Sequence, residues 1–130
     1  MTRSTGGSRL GATDAAIAEG ERQLSLKFSA EYVDFLRLSN GGEGFFGENA
    51  YLVLWRVEDL ASMNGSYEVP AQAPGLLIFG SDGAGEAYGF DTRTSKWTVV
   101  RVPFVGMAWS EAKPIGESFR AFLDRLHEVE

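Results

Sequence analysis

The order of local patterns along the chain is the feature that most restricts its fold. Apolar residues follow helical spacing near both ends, whereas short apolar runs separated by glycine-rich turns fill the middle. Helices that flank a set of strands are typical of an α+β domain. We therefore predict one α+β domain with a mostly antiparallel sheet, or alternatively a mixed one, packed against N-terminal and C-terminal helices.

Three helices carry this prediction. The first is expected to start directly after Asp14, which can be its N-terminal cap. The second is expected to start after Ser29, and Asn40-Gly41-Gly42 is expected to end it in the left-handed conformation. The last helix shows a single apolar stripe, formed by Ile115, Phe119, Phe122, Leu123 and Leu126.

Short apolar runs predict the strands. The run Tyr51–Trp55 is expected to be a largely buried strand that follows a glycine-rich loop at Glu43–Asn49. Between this strand and the next we expect a short helix at Val57–Asn64 and an irregular stretch from Gly65 to Gly75. The remaining predicted segments are Leu76–Phe79, the hairpin strands Glu86–Phe90 and Trp97–Val102, and an edge segment at Phe104–Trp109.

The length suits a single domain. The chain has 130 residues, and single cores commonly extend over about 100–200 residues. Residues 1–13 are mostly small and polar, so we predict a disordered N-terminal arm there and one domain over residues 14–130. No run resembles a signal peptide or a membrane span, and we therefore expect a cytoplasmic protein.

Two residue counts exclude much chemistry. The chain has no cysteine and one histidine, which removes disulfides, thiol catalysis and zinc sites built on cysteine or several histidines. The histidine, His127, lies near the C-terminus, where the geometry of a catalytic triad is hard to fix. We predict no catalytic residue, no metal site and no cofactor.

The charge balance restricts the partners. Eighteen acidic residues against twelve basic ones give a formal net charge of −6. Nucleic acids and anionic membranes both attract basic surfaces, so neither is expected as a partner. An acidic surface would instead attract a basic protein, although mild acidity also serves solubility alone.

Three local candidates for chemistry remain weak. The turn Gly80–Gly85 resembles a phosphate loop, but a strand is expected to follow it, and Asp82 and Glu86 would repel phosphate. Asp82, Glu86 and Asp91 are close in sequence, but their spacing matches no calcium loop. A pair of carboxylates meeting across a cleft would make a small hydrolase, and the sequence leaves that alternative open.

Four blocks in order resemble the Smi–Knr type domain of the SUKH superfamily, over about Ile17 to Leu126. The blocks are Ile17–Gly42 with its Asn-Gly-Gly, Leu54–Tyr67, Ile78–Asp91 with Phe-Gly-Ser-Asp-Gly, and Ile115–Leu123. Members of that family often have glycine at the position of Ser25 and proline at that of Ser29.

The resemblance implies a non-enzymatic binding module. Bacterial members are typically immunity proteins that bind and neutralise a toxin, and fungal members are regulators of the cell wall. We therefore expect a cognate protein toxin, basic and plausibly a nuclease, as the partner, with a regulatory protein as the alternative and the oligomeric state left open. Loop acids and exposed aromatic residues are the predicted contact residues: Glu43, Phe45, Phe46, Glu48, Glu58, Asp59, Tyr67, Glu68, Asp82, Glu86 and Asp91.

Overall fold

A computed structural model describes residues 11–46 and 50–129 of the chain. The helices in these residues are α1 (Asp14–Leu24), α2 (Ala30–Leu38), α3 (Val57–Ser66), α4 (Val69–Gln72) and α5 (Phe119–Val129). The strands are β1 (Gly42–Phe46), β2 (Ala50–Leu54), β3 (Leu76–Ser81), β4 (Glu86–Asp91), β5 (Val99–Pro103) and β6 (Lys113–Gly116), and a short 3-10 helix at Trp109–Glu111 precedes β6.

The strands form one sheet whose spatial order is the order of the chain. From β1 to β6, each strand in the described residues pairs with the next, and every pairing is antiparallel. Antiparallel neighbours can be joined without a crossover connection. The predicted α+β domain is thus confirmed, in its antiparallel rather than its mixed form.

Each face of the sheet has its own apolar core, because alternate residues of a strand point to opposite faces. On the first face, the rings of Phe79 and Phe90 lie 4.6 Å apart beneath Tyr32 of α2 and Phe119 of α5. The second face is covered by α4 and the segment 104–112. Its buried residues are Val69, Ala73, Leu76, Ile78, Ala87, Val100, Val102 and Met107.

Helix α1 begins one residue earlier than predicted. Thr13 is its cap, and the hydroxyl of Thr13 accepts a hydrogen bond from the Ala16 amide at 3.0 Å, so Asp14 is the first helical residue. Contacts with the domain already start before Thr13. Ala12 is buried and donates its amide to the Leu36 carbonyl at 2.7 Å.

Ser25, which ends α1, has a left-handed backbone with φ 53° and ψ 46°. A side chain costs free energy in this conformation and glycine does not. We expect Ser25→Gly to stabilise the domain by about 0.5–1 kcal/mol in urea unfolding. Ser39→Gly is the matched control, because Ser39 ends α2 in an extended conformation with φ −152°. A gain in stability with Ser39→Gly, or a loss with Ser25→Gly, would contradict this account.

Asn40-Gly41-Gly42 has a different role from the predicted one. Helix α2 ends at Leu38, before the motif. The Asn40 side chain instead caps α3, since its Oδ1 accepts the Val57 amide at 2.8 Å. Gly41, at φ 90°, passes so close to Arg56 that a Cβ would lie 3.0 Å from the Arg56 nitrogen. The motif therefore joins the start of the sheet to α3.

Asn64 of α3 takes the place of a neighbouring strand. Strand β3 pairs with β2 only at Ser81 and Gly80. Further along β3, the buried Asn64 side chain accepts the Ile78 amide and donates to the Ile78 carbonyl, each at 3.0 Å, and also donates to the Leu60 carbonyl at 2.8 Å. The backbone of Ile78 is thus satisfied by a side chain.

Several predicted boundaries were wrong. Most of the predicted loop at Glu43–Asn49 is strand β1, because residues 42–46 pair in full with β2. In β2 only Leu52 is buried, since this strand lies next to the sheet edge. The predicted edge segment Phe104–Trp109 is an irregular turn that leads into the 3-10 helix beginning at Trp109, and the edge strand is β6, which contains Ile115. Strand β5 starts at Val99 instead of Trp97, and the stretch 65–75 contains the end of α3 and all of α4.

Candidate binding face

Two predicted contact residues, Glu43 and Phe45, meet the side chain of Tyr51 on the β1–β2 hairpin. Phe45 pairs directly with Tyr51, and their rings lie 5.2 Å apart in an edge-to-face arrangement. The Tyr51 hydroxyl donates a hydrogen bond to Glu43 at 2.5 Å. Phe45 nevertheless remains 71% exposed. A large apolar ring is therefore held in place on the surface.

The Tyr51 hydroxyl is fixed as a donor. Its hydrogen bond to Glu43 and the negative charge of that residue raise the pKa of the phenol above its usual value. A phenol is already protonated at neutral pH and the shift adds to that preference, so the hydroxyl donates this hydrogen bond to Glu43. This contact directs Glu43 across the hairpin.

A series of aromatic residues continues from the hairpin along the second face of the sheet. Tyr51 and Trp55 are four residues apart, so strand alternation places them on the same side at roughly 13 Å. The ring of Phe104 lies 6.5 Å from Trp55 and 4.6 Å from Tyr67. We call Phe45, Tyr51, Trp55, Phe104 and Tyr67 the aromatic row.

The sequence pointed to only part of the aromatic row. Phe45 and Tyr67 were predicted as contact residues, and the structure places both of them on it, Tyr67 being 36% exposed. Tyr51 and Trp55 were missed, because the apolar run that contains them was interpreted as a buried strand. Their spacing of alternate residues was the available signal. The sequence contained no such signal for Phe104, because no local pattern predicts its contact with Tyr67.

The turn that contains Asp82 lies beside the hairpin. A Cβ added to Gly83 would lie 2.7 Å from the Tyr51 ring. The carboxylate of Asp82 accepts the amides of Ala84 and Glu86 at 2.8 and 3.1 Å. Asp82 thus shapes the turn and brings one more acidic residue to this end of the aromatic row.

Glu68 follows Tyr67 directly and is exposed. Its backbone is left-handed, with φ 55°. It forms no ion pair with the other described residues. The second end of the row therefore also carries an acid.

Glu58 and Asp59 lie elsewhere, at the first turn of α3. The Glu58 carboxylate accepts the Asn40 amide at 2.8 Å, and this bond lowers the pKa of Glu58. Asp59 lies 3.4 Å from Arg56. Tyr67 follows the last residue of the same helix, so these two acids lie about 12–14 Å from Tyr67, at the end of α3 that follows Trp55.

Two further acids are paired with arginine. Glu86 lies 4.0 Å from Arg101. Asp91 accepts both the amide and the guanidinium of Arg93, which lowers the pKa of its carboxyl. The same guanidinium lies 3.6 Å over the ring of Trp109. These arginines partly neutralise the acids that they contact, so Glu86 and Asp91 are less suited to attract a basic partner.

For two predicted contact residues, Phe46 and Glu48, the structure describes no side chain. The side chain of Phe46 and the whole of Glu48 lie outside the described residues.

An apolar groove runs beneath the hairpin, on the first face. Its volume is about 350 Å³, and it lies between β1–β2 and helices α2 and α5. Its lining consists of Phe35, Leu52, Leu54 and Leu123 together with residues 39 and 41–45. Apolar surface therefore lies beside edge strand β1 on both faces of the sheet. Leu52 and Leu54 of the groove lie on the first face, and the ring of Phe45 lies with Tyr51 on the second.

A family comparison gives this arrangement a context. The model of the SMI1 / KNR4 family (SUKH-1) matches residues 11–125. The chain belongs to this family. A comparison with individual curated proteins finds no match.

In this SUKH-1 domain, the described motif residues have mainly structural roles. Asn40 caps α3, Asn64 satisfies Ile78, and Asp82 forms its turn. Within residues 11–46 and 50–129, no three acidic or histidine side chains are grouped so that they could hold a metal ion. No helix in those ranges has both the length and the apolar character needed to cross a bilayer.

Proposed function

We propose that this SUKH-1 domain is a non-enzymatic immunity protein that binds a basic toxin in the cytoplasm and blocks it. The observation that carries the binding role is the exposed Phe45, which Tyr51 holds in place. Rigid aromatic side chains that protrude from a surface are typical anchors of protein interfaces. Membership of the family, whose bacterial members are expected to be immunity proteins, supports a toxin as the class of partner.

The acids near the aromatic row support a basic partner. Asp82 and Glu68 lie near its two ends, and neither forms an ion pair within the described residues. With a net charge of −6, the chain would speed its encounter with a cationic toxin. The aromatic anchors would then determine how long the complex lasts.

The directions of the carboxyl pKa shifts weigh against a small hydrolase. Such an enzyme needs one acid with a raised pKa beside a second carboxylate. Among the described residues, the carboxyl groups whose pKa departs from its usual value have it lowered, and these are Glu19, Glu58 and Asp91. Each of them contacts an amide or guanidinium donor.

The test is co-expression with the product of the adjacent gene, which the proposal expects to be a toxin. We expect a stable complex, protection of the host cells, and an affinity that Phe45→Ala lowers by about thirtyfold or more. Tyr67→Ala should have a smaller effect, because Tyr67 is less exposed. Affinity is measured by calorimetry or biolayer interferometry, and protection by cell growth.

Leu38→Ala is the matched control. Leu38 is 79% exposed but lies at the end of α2, away from the aromatic row, so its removal should change the affinity by less than about threefold. If neither complex nor protection is observed, the immunity role is wrong. An isolated gene whose product binds a host regulator instead would favour the regulatory alternative.

A further inference from the structure

The two edges of the sheet differ in how they are protected. A free strand edge presents unpaired backbone groups that can bind another strand, and proteins usually protect it with proline, charge or cover. At one edge, β6 contains Lys113 and Pro114, and α5 packs against it. Pro114 has no amide hydrogen to donate, so this edge is a poor template.

The other edge, β1, lacks these devices. It contains neither proline nor a basic residue, and within the described residues its backbone pairs with β2 alone. Its single charge belongs to Glu43, which the Tyr51 hydroxyl holds across the hairpin. The backbone groups of β1 that point away from β2, which belong to alternate residues of Gly42–Phe46, are therefore available on the outer side.

The surroundings of β1 suit an added strand with apolar side chains. A Cβ added to Gly42 or Gly44 would meet no atom within 4 Å, so the space beside these glycines is open. The apolar groove lies there, on the first face of the sheet. On the second face, Phe45 would lie beside the other side chains of the incoming strand. Alternate side chains of one strand could thus find apolar contacts on both faces.

Charge decides between the possible occupants. A second copy of this chain would bring two net charges of −6 together. A basic partner would instead place lysine or arginine near Glu43, the charged residue of β1. The edge therefore fits a basic protein better than it fits itself.

We propose that an extended segment of the basic toxin adds to the sheet as a further strand along β1. Backbone hydrogen bonds to Gly42–Phe46 would give affinity, and apolar side chains in the groove and against Phe45 would give specificity. This docking mode rests on the proposed immunity function and specifies where its partner binds.

Hydrogen–deuterium exchange of the wild-type chain, free and bound to the toxin expected from the adjacent gene, tests the proposal. We expect the outward amides of β1 to exchange at least about tenfold more slowly in the complex, with β6 unchanged. Phe45→Lys should weaken binding by at least about tenfold, since a lysine on an edge strand opposes pairing. Ser95→Lys is the control, because Ser95 is exposed and lies in the turn before β5, at the opposite end of that strand from Phe104 and several strands from β1.

The outcomes separate the two proposals. A complex in which β1 exchanges as in the free chain would overturn strand addition and leave the immunity role intact. Failure to form any complex would overturn both. If the free chain proves to be a dimer by light scattering, with β1 already protected, the occupant is a second copy and the proposed partner is wrong.

Discussion

Asn64→Ala is expected to destabilise the domain by about 3–5 kcal/mol, because it leaves both backbone groups of Ile78 without partners. Ile78 is completely buried, so water cannot replace the lost hydrogen bonds. Buried unsatisfied donors and acceptors cost about 1–3 kcal/mol each, and the cavity left by the amide adds to this. For a domain of this size the melting temperature should fall by roughly 10–15 °C.

Ser62→Ala provides the comparison within the same helix. Ser62 is exposed, and its hydroxyl contacts only the Asp59 carbonyl among the described residues, so the change should lie within about 0.5 kcal/mol. Asn64→Asp keeps the acceptor for the Ile78 amide but loses the donor, and it should also be strongly destabilising. Similar stability of Asn64→Ala and Ser62→Ala in thermal unfolding would show that α3 does not support β3 as described.

Elements with a strong internal period could be predicted from the sequence. The stripe of α5 from Phe119 onwards and the cap of α2 at Ser29 were both predicted, because each depends on neighbours within a few residues. The β4 strand was found for the same reason, since its buried run lies between turn residues. Local patterns of this kind need no knowledge of the tertiary fold.

Long-range contacts explain what local patterns missed. Strand β1 has two glycines in five residues, and its extended form comes from pairing with β2. The start of α5 shows the same limit. Its amides at Phe119 and Arg120 are accepted by the Glu31 carboxylate of α2, nearly ninety residues earlier in the chain. No sequence window contains both partners.

The candidate binding face likewise contains features that the sequence indicated and others that only the structure shows. Phe45 was predicted to be exposed because a loop was expected at Glu43–Asn49, whereas it is exposed because it lies on edge strand β1. The acids could not be ranked, since the sequence does not show that Asp91 faces Arg93 or that Glu86 faces Arg101. Tertiary contacts thus distinguish the acids paired with arginine from Glu68 and Asp82, which are not.

The attachment of the hairpin to the rest of the sheet leads to a second large expected effect. Gly80 of β3 lies under β2, and a Cβ added to it would be 2.2 Å from the Val53 carbonyl oxygen. That atom belongs to the backbone, so it cannot move aside cheaply. Gly80 also forms one of the two residue pairs that join β2 to β3. We expect Gly80→Ala to cost about 2–4 kcal/mol and to loosen the hairpin in particular.

Gly85→Ala makes the comparison specific, because a Cβ at Gly85 meets nothing within 4 Å and should leave stability within about 0.5 kcal/mol of wild type. Hydrogen exchange would show the location of the damage: faster exchange in β1 and β2 for Gly80→Ala, with β4 and β5 protected as before. Since Phe45 is part of this hairpin, toxin binding should weaken with Gly80→Ala even at temperatures where the core stays folded. A uniform loss of protection across all strands would instead mean that the hairpin and the core unfold as one cooperative unit.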